Sequence, residues 1–260
     1  MQNCCAKLTA LSLDWNDMPD ITVMNWILAA LIVTVAYTVR GITGFGSGLI
    51  AIPPLVLMLP LVVVVPVIGL LDVSASLVHT WQHRRETTWR LIWPLLPWTF
   101  TGVVVALFLF RTVDPQWLVR TLGVFVLLFA AHNLLTPELR LPASRFWSLP
   151  AGLGGGIVGT LFGTGGPFYV IYLQVQRLPR GVFRATVASL FLVDGAARQV
   201  GYAVAGLYTV KMLMLVLAGI PLMLASMYIG GHIHTTISER GFRMAIGVLL
   251  VISGIALLIK

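Results

Sequence analysis

Charge is what this sequence has least of. Only 10% of its 260 residues are Asp, Glu, Lys or Arg, and just nine are acidic, where a soluble domain carries about a quarter. With 58% hydrophobic residues and a mean hydropathy of +0.94, that scarcity excludes a soluble globular protein and leaves no room for a soluble domain of useful size. Cysteine is nearly absent too. Cys4 and Cys5 stand side by side, without the spacing of a redox CxxC motif or a metal knuckle; no metal site and no cofactor is expected. A concentrated basic run is also missing. The net charge of +8 comes from arginines spread through short loops between apolar runs, where they set membrane orientation, so nucleic acid is not an expected partner. Residues 1–20 lack the basic start, apolar core and small-residue cleavage site of a signal peptide; they read as a polar N-terminal tail carrying Asp14, Asp17 and Asp20.

What is present is apolar sequence in segments. These run over residues 21–39, 43–59, 61–80, 91–110, 117–135, 146–162, 166–176, 183–206, 211–230 and 243–259, five in each half. Most approach the roughly 20 residues that a spanning helix needs. The expected fold is an all-α polytopic membrane protein of about eight to ten transmembrane or half-membrane helices. It forms one transport domain over 1–260, with repeat 1 at 21–135, a linker at 136–145 and repeat 2 at 146–259. Segment 43–59 contains Pro53 and Pro54, and 166–176 is short, so each is a candidate half-helix.

With the N-terminus outside, the inner loops hold Arg40, Arg84, Arg85, Arg90, Arg140, Arg145, Arg177, Arg180, Arg184, Arg240 and Arg243, against Lys7, Arg111, Lys211 and Lys260 outside. Eleven against four fits the positive-inside rule. The halves resemble one another: Phe45, Gly46, Ser47 and Gly48 align with Phe162, Gly163, Thr164 and Gly165, and an aspartate follows in each, Asp72 and Asp194. Their loops differ in charge. HRRETTWR (83–90) is basic while its counterpart AGLYTVK (205–211) is nearly neutral; the join at Leu59–Leu61 is uncharged while QRLPRGVFR (176–184) has three arginines. Such a swap is expected of inverted-topology repeats.

GITGFGSGLIAIPP (41–54) and GTLFGTGGPFYVIY (159–172) place clustered glycine, followed by proline, inside apolar segments. Gly152 and Gly156 suit close helix packing. The clusters are different, because they disfavour continuous helix and free backbone N–H and C=O groups, which hydrocarbon tolerates only around a cavity or a ligand. Both clusters therefore read as midplane breaks whose half-helices offer N-terminal N–H groups to an anion. The candidate binding residues are Gly44, Gly46, Ser47 and Gly48 in one half, Gly163, Thr164, Gly165 and Gly166 in the other, and Arg198.

Ionisable groups at membrane depth are costly and point to function. Asp194 and Arg198 are four apart on one helix face, which suits either a structural ion pair or an arginine that holds an anion while an aspartate exchanges a proton. Asp72 has Ser76 where Asp194 has Arg198; left unpaired, it is the second proton-coupling candidate. His79 and His132 are placed near the inner interface and segment end, and Arg120 is placed to snorkel. Trp81, Trp89, Trp93, Trp117 and Trp147 lie near segment ends as interfacial anchors.

The motifs GFGSGLIAIPPL (44–55), GTGGPFYVIYL (163–173) and LPRGVFRATVASL (178–190) together resemble the TauE/SafE family of sulfite exporters, also called TSUP transporters, from about residue 25 to the end. A departure is Ser47, where the family commonly has a further glycine. The resemblance implies a multi-pass protein of the inner membrane that transports small anions, including sulfite and organosulfonates such as sulfoacetate, as ion-coupled export. Its expected partners are the lipid bilayer, the anion and a possible coupling proton; oligomeric state is not legible. Two other readings use the same residues. One is a passive anion channel. The other is an intramembrane serine hydrolase built on Ser47, which needs a histidine base, whereas His79, His83 and His132 sit toward the inner face.

Overall fold

In hydrocarbon every backbone polar group must be satisfied within its own segment, which makes apolar runs of this length helical. The computed structural model describes residues 22–83, 85–135, 145–232 and 239–259, and all regular structure among them is helical. The helices are α1 (Val23–Thr43), α2 (Ser47–Met58), α3 (Leu61–His83), α4 (Trp89–Ile92), α5 (Leu96–Thr112), α6 (Pro115–Leu135), α7 (Ser148–Phe162), α8 (Gly166–Val175), α9 (Arg180–Val204), α10 (Val210–His232) and α11 (Glu239–Ile259). The expected tail at 1–20, with its cysteines, and nearly all of the 136–145 linker lie outside the described residues, as do the side chains of His79 and His83.

Among the described residues, four stretches are long and apolar enough to cross a membrane: α1, Leu61–Val78 of α3, Pro115–His132 of α6, and α10. The chain is an all-α polytopic membrane protein. Each of the ten expected segments contains a helix, with one subdivision: the segment expected at 91–110 becomes α4 and α5, separated at 93–95. Pro94 and Pro97 lack the N–H groups that would carry one helix through this point.

The half-helices are short. α2 has 12 residues and α8 has 10, about 18 and 15 Å of helix against a hydrocarbon thickness of about 30 Å. Within α2, Pro53 and Pro54 also deprive the carbonyls of Leu49 and Ile50 of their usual donors.

The main packing partners are α1 with α10, α5 with α7, α6 with α11, and α3 with α9. Pairing each helix with its counterpart in the other half turns the α1–α10 contact into the α7–α5 contact and leaves α6–α11 and α3–α9 unchanged. Glycine makes these approaches close, as expected where lipid supplies no hydrophobic force between helices. A Cβ on Gly41 would lie 2.5 Å from the carbonyl oxygen of Met227, and one on Gly102 would lie 2.6 Å from that of Leu153. Gly152 presses on the backbone of Leu95, just before α5, and Gly156 on that of Thr99 within it, which is the packing role read from their spacing. Trp81, Trp93 and Trp117 are exposed, and the Arg120 guanidinium lies 5.5 Å from the Trp117 ring centroid.

Candidate functional site

Each glycine cluster ends its first helix in the same way, with a left-handed glycine cap. α1 ends at Thr43, and Gly44 caps it in the left-handed region (φ 88°) with its N–H donating to Arg40 O; Gly46 is also left-handed (φ 94°) before α2 begins at Ser47. α7 ends at Phe162, Gly163 caps it (φ 64°) with its N–H donating to Gly159 O, and α8 begins at Gly166. A side chain at positive φ is strained, so glycine is required at these caps. The structural register thus pairs Gly44 with Gly163 and Ser47 with Gly166. This differs by two residues from the sequence alignment. The left-handed cap, rather than the shared Phe-Gly pair, defines equivalence, and Thr164 stands opposite Phe45 instead of Ser47.

The two breaks touch. A Cβ on Gly48 would run into the carbonyl oxygen of Gly163, and one on Gly163 would run into Cδ1 of Ile52. Between them lies a cavity of about 50 Å³, walled by the starts of α2 and α8, by Gly163, Thr164 and Gly165, and by Arg40, Asp72, Arg198, Phe129 and Phe191. Nine of the eleven sequence candidates reach it: Gly46, Ser47, Gly48, Asp72, Gly163, Thr164, Gly165, Gly166 and Arg198. Gly44 instead lines a separate vestibule. Asp194 is 1% exposed and is not among the residues lining the cavity.

Asp72 is not unpaired. Its Oδ1 accepts from Arg40 Nη1 at 2.7 Å, Tyr37 OH at 2.8 Å and Ser47 Oγ at 2.6 Å. Arg40 also donates through Nη1 to Ser47 Oγ at 2.8 Å, and through Nη2 to Ser76 Oγ at 2.6 Å and Asp72 O at 3.2 Å. The sequence reading placed Arg40 in an inner loop. It is instead buried in the last turn of α1, four residues before the capping glycine, and that spacing to Gly44 was the available signal. Tyr37 and Ser76 were missed as ligands of this network for the same reason. Asp72 lies eleven residues from each end of α3, about 16 Å along the helix, and so at mid-membrane depth.

In the second half, Arg198 Nη2 lies 3.0 Å from Asp194 Oδ2, as the four-residue spacing suggested. Arg198 Nη1 donates to Gly159 O at 2.5 Å, and Tyr202 OH donates to Thr160 O, so α9 holds the last turn of α7. Thr164 Oγ1 and Arg198 Nε are buried without a hydrogen-bond partner among the described residues. Two guanidinium groups and two carboxylates balance in formal charge. The two helix N-termini add positive potential and unpaired N–H groups, so the cavity suits an anion of a few atoms.

The vestibule has a volume of about 980 Å³ and is lined by Arg40, Gly44, Glu86, Arg184, His232 and their neighbours. Arg40 therefore faces both spaces and forms the boundary between them.

The sulfite exporter TauE/SafE family model matches residues 28–257. The probable inner membrane transporter protein TsaS of Comamonas testosteroni is 27% identical over 193 residues, covering 74% of this chain and 81% of that protein. No solved structure matches the chain.

Proposed function

From membership of the sulfite exporter TauE/SafE family of membrane transporters, to which this chain belongs, we propose that it is a secondary transporter of the inner membrane. Its cargo is a small sulfur oxyanion: sulfite, sulfoacetate or another organosulfonate. The observation that carries this reading is the convergence of two half-helix N-termini and two arginines on one cavity. Sulfite is compact, anionic and rich in acceptor oxygens, and helix N-termini with guanidinium groups bind such anions. Ser47 Oγ is held between Arg40 and Asp72, a positioning role that supports transport over nucleophilic chemistry.

The two halves are inverted repeats. This is supported by the charge swap between their loops and by the four main helix contacts, which map onto themselves when the halves exchange. Reporters fused after Arg85 and after Gly206 are expected on opposite membrane faces; both on one face would overturn the inversion. On the same reasoning the vestibule opens to the cytoplasm, because Glu86 and Arg184 flank it from the basic loop regions.

Asp72 is the coupling residue, and Asp194 positions Arg198. An anion entering a charge-balanced site brings uncompensated charge, and a proton on Asp72 would offset it. In proteoliposomes, an imposed pH gradient should drive sulfite flux in the native protein. Asp72→Asn should abolish that stimulation while leaving exchange down the sulfite gradient. If Asp72→Asn retained the stimulation and Asp194→Asn lost it, the roles would be reversed. Flux indifferent to the gradient in the native protein, at channel-like rates, would replace the carrier by a passive channel.

A further inference from the structure

The vestibule contains a cation that the central cavity does not use. Arg184 lies in the first turns of α9, and its Nη2 donates to Gly41 O at 3.3 Å. Its Nε is buried without a hydrogen-bond partner, and among the described residues no carboxylate approaches it within ion-pair distance. Arg40 and Arg198 are each matched by an aspartate. Arg184 is not. The nearby acid is Glu86, whose Oε2 lies 2.9 Å from where a Cβ on Gly181 would stand, at the start of α9.

Arg184 also sits against the first break. A Cβ on Gly44 would meet Arg184 Nε at 3.4 Å, so the glycine that caps α1 lets the guanidinium lie over the helix end. Arg40, beyond Gly44, lines both the vestibule and the central cavity. The route inward therefore runs from an unneutralised arginine, past a residue with no side chain, to an arginine already shared with the central site.

We propose that Arg184 forms a second anion-binding station in the cytoplasmic vestibule, a loading subsite from which a small oxyanion passes over Gly44 to Arg40 and the half-helix N-termini. This rests on the transport reading given above and adds a kinetic consequence. The central site sets turnover and coupling, whereas Arg184 sets the concentration at which cytoplasmic substrate is captured. Glu86 opposes it at the mouth, and His232, also lining the vestibule, turns its Nδ1 to Tyr228 O.

The test compares the native protein with Arg184→Gln and Arg184→Lys in oriented vesicles. For sulfite presented on the cytoplasmic side, Arg184→Gln should raise the half-saturating concentration about tenfold, the loss of one charge-assisted contact. Maximal export and gradient stimulation should stay near native, the ratio of maximal flux to half-saturation should fall equally in both directions as detailed balance requires, and Arg184→Lys should recover most of the affinity. Unchanged half-saturation, or a loss of maximal flux alone, would overturn the proposal. A second measurement is independent of transport: phenylglyoxal modification of Arg184, mapped by peptide mass spectrometry in the native protein, with sulfoacetate, sulfate or acetate as protectant. Protection by one of these without sulfite flux would sustain the station and remove the sulfite reading. Protection by none would overturn the station even if sulfite is carried.

Discussion

Arg40→Gln is expected to reduce transport by about a hundredfold or more, the effect of losing some 3 kcal/mol at the site. The guanidinium joins four acceptors on three residues: Asp72 Oδ1 and O, Ser47 Oγ and Ser76 Oγ. Removing one partner of a buried ion pair costs about 3–5 kcal/mol, because the remaining charge is left without compensation. The Asp72 side chain is 18% exposed, which puts the cost toward the lower end of that range. Function should suffer more than folding. The same substitution leaves an unopposed carboxylate facing the cavity into which an anion must move. Arg40→Lys keeps the charge but not the planar fork that reaches Ser47, Asp72 and Ser76 together, so it should fall between the two. The double variant Arg40→Gln with Asp72→Asn removes the stranded charge; it should regain thermal stability without regaining gradient-driven flux. Thermal unfolding of the purified protein and proteoliposome flux, measured on the native protein and these three variants, separate the two effects. Near-native flux in Arg40→Gln would remove Arg40 from the site.

The breaks were legible in the sequence because their cause is local. A left-handed cap requires glycine, and glycine clusters amid apolar residues are visible without a structure. Asp194 and Arg198 were legible because four residues make one helical turn and a little more. The Arg40–Asp72 pair was not, since its members are 32 residues apart on different helices. An arginine at the end of an apolar run is ordinarily an interfacial charge, and that rule sent Arg40 to a loop. The hidden information lay in its distance from the cap. With Gly44 terminating α1, Arg40 falls within the last turn and turns inward to α3. The two-residue offset in matching Ser47 to Thr164 has a similar origin: shared residue identity set the alignment, whereas backbone conformation sets structural equivalence. Arg184 and Gly44 stand in quoted motifs, but the vestibule they line depends on contacts between distant segments, which no sequence periodicity could have shown.

Gly48→Ala should be the most damaging single-methyl change in the first break. Gly48 lies inside α2 and is not at positive φ, so nothing in its own backbone demands glycine, and alanine is the better helix former by about 1 kcal/mol. The restriction comes entirely from across the site. The added methyl would collide with the carbonyl oxygen of Gly163 and sit 3.4 Å from Asp72 Oδ2. Backbone at a break between two helices cannot turn aside as a flexible side chain would. The methyl must therefore push the two half-helices apart, and overpacking of this kind costs about 1–3 kcal/mol. Gly46→Ala is the control with the opposite character. A Cβ there meets nothing within 4 Å but stands at φ +94°, a backbone strain of about 1–2 kcal/mol with no neighbouring atom to collide with. If the contact between the breaks is the binding site, Gly48→Ala should lose nearly all sulfite flux while remaining inserted and folded, and Gly46→Ala should lose stability while retaining measurable flux. The reverse order would mean that the conformation of the first break governs transport and that its contact with Gly163 is packing alone.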